Sequence, residues 1–292
     1  MGCRWRPAYG PGVSCASFVA MNWREWFQPD SLSPMALFLR SLGLSALGIG
    51  CGAMLFPSEA SLVGVVLLAF SQGKTVEGLL NQNRDEIWGE IISPTRANLK
   101  LAWSLMIIFL GVFTTYIFAV QFAPEQRVDT LFDKQLGDFA AGSVRDIIFG
   151  TFPQLLRHNA VVFLGCFAFA LIYRHAGMLL VLAWNASAWG AVFSYLGLVA
   201  EVPDTFARIM YIMQTLTCIL PHLFLEAAAY VLVAMAGVFT SLGVTRHKIG
   251  SDAFMQVTRA ILNIFVFALC ILGLAAAVEA YGAPELVAAV FD

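Results

Sequence analysis

The feature that most constrains this chain is a succession of apolar runs, each about as long as a membrane is thick. A helix crossing the hydrocarbon layer needs about 20 such residues. Runs of that length or somewhat shorter cover 35–56, 60–70, 101–122, 160–173, 178–200, 221–242 and 260–280. The second gains length by extending through Ser71 and Gln72. Hydrophobic residues make up 59% of the chain and charged residues 12%, against roughly 25% charged in soluble domains. Such a chain lacks the polar groups to cover a water-exposed surface. The expected fold is therefore an all-α, polytopic transmembrane helical bundle of about seven spans, and the first partner is the lipid bilayer. A net charge of −2 with no Lys/Arg run excludes nucleic acid as a partner class.

One stretch resists placement. Joined to the run after Pro221, residues 206–220 form a helix of about 55 Å at 1.5 Å per residue, longer than one bilayer. Proline has no amide donor and suits the first turn of a helix. We therefore expect Pro221 to begin a new helix and 206–220 to be a separate interfacial or re-entrant helix.

The cations in the connections set an orientation, since cytoplasmic loops are enriched in Lys and Arg. With the N-terminus inside, Arg4, Arg6, Arg24, Lys74, Arg84, Arg96, Lys100, Arg174, Arg246, Lys248 and Arg259 share one side. Arg127, Lys134, Arg145, Arg157 and Arg208 share the other, and Arg40 lies within the first span. This bias predicts a multi-pass protein of the cell (inner) membrane, N-terminus cytoplasmic and C-terminus outside. No continuous apolar run precedes Met21, which argues against a cleaved leader. Met21 is a second candidate start, and Trp23, Trp26 and Phe27 after it read as an interfacial opening. The six cysteines are scattered, with no Cys-x-x-Cys pair, so no disulfide framework is expected. The chain divides into an interfacial segment (1–34), a helical hairpin with its cytoplasmic connection (35–96), a main membrane region (97–285) and a short tail (286–292).

The longest polar connection carries a second pattern. Val128, Leu131, Phe132, Leu136, Phe139 and Ala140 recur at helical spacing, separated by Asp129, Asp133, Lys134 and Asp138. This predicts an amphipathic helix on the outer surface, either a plain connector or a docking site for a partner through Leu131, Phe132, Leu136 and Phe139.

Ionisable residues inside a bilayer are costly and mark sites worth weighing. His222 and Glu226 are four apart and share a helix face. Arg157, His158 and Asn159 stand at the outer end of the fourth run, and Asn185 lies in the middle of the fifth. The topology puts His158, Asn159, His222 and Glu226 on one side of the membrane, with Asn185 reaching toward them. Three uses stay open: a network that fastens three helices, a proton or ion path, or a metal site. The last is poorly supported, because His-x-x-x-Glu is not a zinc-peptidase pattern and no third strong ligand is evident. No cofactor is expected. Gly73-Lys74-Thr75 lacks the first glycine of a phosphate loop, position 68 being Leu68, and no nucleophile elbow is present. We expect no catalytic residue. Gly48 and Gly52, and the small residues Ala227, Ala228, Ala234, Ala236 and Gly237, suit close helix contact, within the chain or between copies.

Taken together, Arg157-His158-Asn159 before an apolar run, Asn185 with Gly190 after it, and Pro221-His222-x-x-x-Glu226 followed by alanines and Gly237 resemble the Stage II sporulation protein M family. The resemblance covers roughly 97–281 and implies five spans there. It departs at Ala186 and Leu223, where the family usually has glycine. It implies a membrane scaffold that organises partner proteins, in sporulating bacteria those that remodel peptidoglycan. Likeness of fold does not fix the process. The expectation is a scaffold or assembly subunit working with other membrane proteins or with copies of itself. The alternative is a transporter or channel with a proton- or ion-coupled site around Glu226 and His222.

Overall fold

The computed structural model describes residues 33–140, 150–200, 202 and 204–291, with the side chains of 138–140, 205 and 291 excepted. The N-terminal opening around Met21, Cys3 and Cys15 lies outside the described residues, as does 141–149. Every regular element described is helical. In chain order they are α1 (Pro34–Leu55), a 3-10 turn (Pro57–Glu59), α2 (Ala60–Trp88), α3 (Pro94–Phe122), α4 (Glu125–Leu131) and α5 (Asp133–Ala140). There follow α6 (Phe152–Val199), α7 (Thr205–Arg246) and α8 (Asp252–Ala277), which runs through a π turn (Val278–Gly282) into α9 (Ala283–Phe291). Helix starts follow local chemistry. Ser33 and Ser93 each accept a first-turn amide and precede a proline, which has no amide to lose there. Asp204 and Ser251 cap α7 and α8 in the same way.

Six helices are long and apolar enough to cross a membrane. One of them, α6, is two. At Arg174 the backbone turns to φ 55, ψ −133, a region that side-chain-bearing residues rarely enter. In an unbroken helix residues 169 and 177 stand about 12 Å apart along the axis. Here a Cβ built on Gly177 falls 2.1 Å from the Phe169 carbonyl oxygen, so the two limbs fold back on each other and only glycine fits. Arg174 Nε donates to Ser241 Oγ at 3.3 Å and ties this turn to α7. The limbs 152–173 and 175–199 are each about as long as a bilayer is thick, which agrees with a count of about seven spans.

Pro221 does not start a helix. It lies inside α7, which continues unbroken for 42 residues. The stretch 206–220 is therefore not a separate interfacial or re-entrant element but the opening turns of α7. Proline removes one backbone bond, and within membrane helices neighbouring helices and side chains offset that loss. These turns pack on the second limb of α6, where Ile212 approaches Gly197, and Arg208 pairs with Glu125 at 3.7 Å. At about 63 Å, α7 exceeds one bilayer, so part of it projects, leans or bends.

Lipid is as apolar as leucine, so helices in a bilayer associate by close approach and by polar contacts. Both occur here within the chain. A Cβ on Gly48 would lie 2.9 Å from Gly64 Cα, and one on Gly52 2.7 Å from Ala60 Cα, which presses α1 against α2. Gly237 meets the Phe167 carbonyl of α6 at 2.6 Å in the same sense. The glycine and alanine faces read from the sequence thus serve intramolecular packing. Polar side chains add cross-links: Gln72 Nε2 donates to Ser41 Oγ at 2.7 Å, Tyr116 OH to Ser61 O at 2.5 Å, and Gln121 Nε2 to Ser194 O at 2.8 Å.

The amphipathic connection is divided into α4 and α5 at Phe132. Its apolar face is turned onto the bundle rather than outward. Phe132 and Leu136 are buried, Leu131 is half-buried, and Phe132 meets Tyr116 edge-on with centroids 6.2 Å apart. Gln135 Nε2 donates to Ser187 Oγ at 3.3 Å. At its surface the hydrogen bond from Lys134 to Asp133, with the charge of Glu59, holds the Lys134 ammonium above its usual range.

Candidate functional site

The ionisable residues predicted to gather in the membrane start on one face of α7. His222, Glu226 and Tyr230 follow each other at four-residue steps, so their side chains stack along a single stripe. All three are buried. Glu226 Oε1 accepts the Tyr230 hydroxyl at 2.5 Å. A buried carboxyl needs such a donor. It comes from the next turn of the same helix rather than from His222. The His222 Nδ1 atom is buried and has no hydrogen-bond partner among the described residues. An unmet buried nitrogen of this kind costs about 1–3 kcal/mol.

The other predicted members are divided. Asn159 is buried on the first limb of α6, whereas His158 beside it is exposed. Asn185 is half-buried, and its Nδ2 donates to Val181 O at 2.7 Å, a carbonyl of its own helix. Asn185 thus makes its hydrogen bond within its helix rather than to Glu226. One turn further on, Trp189 does reach the stripe, its ring 6.1 Å from that of Tyr230 and 5.5 Å from Phe109. Of the docking candidates, Phe132 and Leu136 are inside the fold and Leu131 is half-covered, so that face is occupied by the chain itself. The Phe139 side chain lies outside the described residues.

Two residues were missed by the sequence reading. Tyr230 is neutral and drew no notice, although Glu226-x-x-x-Tyr230 is a legible four-residue pair. Glu279 lies in the π turn that ends α8, within electrostatic reach of Glu226 and Tyr230. Single π turns inside helices often accompany functional sites. Glu279 stands at the very end of the 260–280 run, where a carboxyl reads as a flank rather than part of a site. Among the described residues no three His, Cys, Asp or Glu side chains come together to hold a metal ion. The cluster offers two carboxyl groups, a phenol and an imidazole. Chemically these can fasten helices or hold a proton.

Against known proteins, the family model for Stage II sporulation protein M matches residues 98–284. This chain belongs to that family. No curated protein and no solved structure matches it. The Stage II sporulation protein M region opens in the first turns of α3 and closes at the start of α9, and it holds five of the seven passes. It contains every member of the polar stripe, Glu279 included. Helices α1 and α2 form the hairpin that precedes it.

Proposed function

We propose that this protein is an integral membrane scaffold or assembly subunit. It would organise other membrane proteins, or further copies of itself, in the plane of the cell membrane, with its N-terminus on the cytoplasmic side. The observation that carries the reading is that the buried Glu226 carboxyl finds its donor inside the fold. Glu226 is only 8% exposed and its carboxylate is held by Tyr230 on its own helix. Other polar side chains bond across helix contacts, as in Gln72–Ser41 and Gln121–Ser194. A bundle fastened in this way suits a rigid part of an assembly. Partners would meet it through the exposed apolar side chains of its outer helices, since Phe132 and Leu136 are taken up within the fold.

A second reading has one observation in its favour. Glu279 lies within electrostatic reach of Glu226, and carboxyl groups inside a membrane protein can serve as relays for protons. Purification of the full chain from its native membrane in a mild detergent separates the two. The scaffold reading expects a membrane protein, or a second copy, at fixed stoichiometry. Recovery of a lone monomer that moves protons or ions in liposomes overturns it.

A further inference from the structure

Away from Glu226, α2, α3, α7 and α8 line an open cavity of about 1280 Å³. That exceeds the roughly 300–1,000 Å³ of ordinary small-molecule pockets. It lies between two hairpins. One is the α2–α3 turn, where Glu90 takes φ 54; the other is the α7–α8 turn, where Gly250 takes φ 84. The rings of Trp88 and His247, 5.8 Å apart, bridge the two.

Its lining is graded. Arg84, Arg96 and Arg246 lie at the helix ends, within about one turn of the hairpin turns, and the one lining carboxylate is Glu90. Arg84 is already paired with Asp85 at 2.7 Å. Arg96 and Arg246 are exposed and form no ion pair among the described residues. Further in, the walls become apolar: Leu80 and Phe239 stand about 10–12 Å from the ends of α2 and α7, with Leu242, Ala260 and Ile261 nearby. Unpaired guanidiniums above an apolar cleft, at the end of a membrane bundle, match a ligand with an anionic head and an apolar tail. Guanidinium is the side chain best suited to bind phosphate oxygens in pairs, and basic pockets between membrane helices hold anionic lipid head groups.

We propose that this cavity binds an anionic phospholipid, its phosphate between Arg96 and Arg246 and the start of an acyl chain along Phe239, Leu242 and Ile261. Neither arginine takes part in the Glu226 cluster, so the site is independent of the scaffold reading. The test uses the full chain in an uncharged detergent and measures binding by thermal stabilisation. Three probes are titrated: phosphatidylglycerol, phosphatidylcholine and inorganic phosphate. Phosphatidylglycerol is expected to bind at least tenfold more tightly than either of the others. The double variant Arg96→Gln/Arg246→Gln is expected to weaken it about thirtyfold, at roughly fivefold per cation. Ala260→Trp, which fills the apolar part and leaves the cations in place, is expected to weaken it as well. Equal binding of the two lipids, or an unchanged affinity in both variants, overturns the proposal. So does inorganic phosphate binding as tightly as phosphatidylglycerol, which points to a free anion instead of a lipid.

Discussion

The α7 stripe and the cavity at the hairpin turns use charge in opposite ways. In the stripe, charge is scarce and enclosed: Glu226 is buried and its bond is made by Tyr230. At the cavity, charge is plentiful, with Arg96 and Arg246 in no ion pair among the described residues beside about 1280 Å³ of space. The two lie about 20 Å apart along α7, from Glu226 to Phe239. A carboxylate inside a membrane attracts notice because it is expensive, yet expense alone does not make a binding site. A site also needs an unsatisfied group and room for a ligand. By that measure the Glu226–Tyr230 pair, whose bond is made, fits a part in packing, and the hairpin end fits the recognition proposed for it.

This contrast can be broken by substitution. The largest effect is expected where backbones touch. Gly237→Leu forces a side chain into the Phe167 carbonyl, which a Cβ would already approach to 2.6 Å. It should cost about 3 kcal/mol, the upper part of the usual overpacking range, read from SDS-induced unfolding in mixed micelles. Next comes Tyr230→Phe, which strands the buried Glu226 carboxyl and should cost about 1–3 kcal/mol. Glu226→Gln keeps an oxygen for the Tyr230 hydroxyl and should cost clearly less. If Glu226→Gln proves the worse of the two, cohesion is not what the carboxyl provides. The smallest effect belongs to the cavity: Arg96→Gln/Arg246→Gln should change unfolding by less than about 0.5 kcal/mol, as surface substitutions do. A large loss there would make the arginines structural and erase the contrast.

How far the sequence reveals these regions varies for physical reasons. Run length discloses the bundle, and the polar gap between 173 and 178 discloses the reversal at Arg174. The continuity of α7 is hidden, because Pro221 gives the same local signal at a helix start as within a helix braced by neighbours. The pattern of Phe132 and Leu136 identifies an apolar face but not what covers it, and here the cover is Tyr116 and the rest of the bundle. Glu226 is conspicuous, whereas its true partner, Tyr230, is neutral and so looks like one more apolar-span aromatic. The cavity is least legible of all. Its arginines come from three helices and meet only through the tertiary fold, so in the sequence they register only as topogenic charge.

The central claim, that Glu226 is a satisfied part of the packed interior and does not conduct, is tested most directly in proteoliposomes carrying a pH-sensitive dye. With a proton gradient imposed, wild-type protein and Glu226→Gln are expected to leak no faster than empty liposomes. Proton flux in the wild type that disappears in Glu226→Gln would contradict the account.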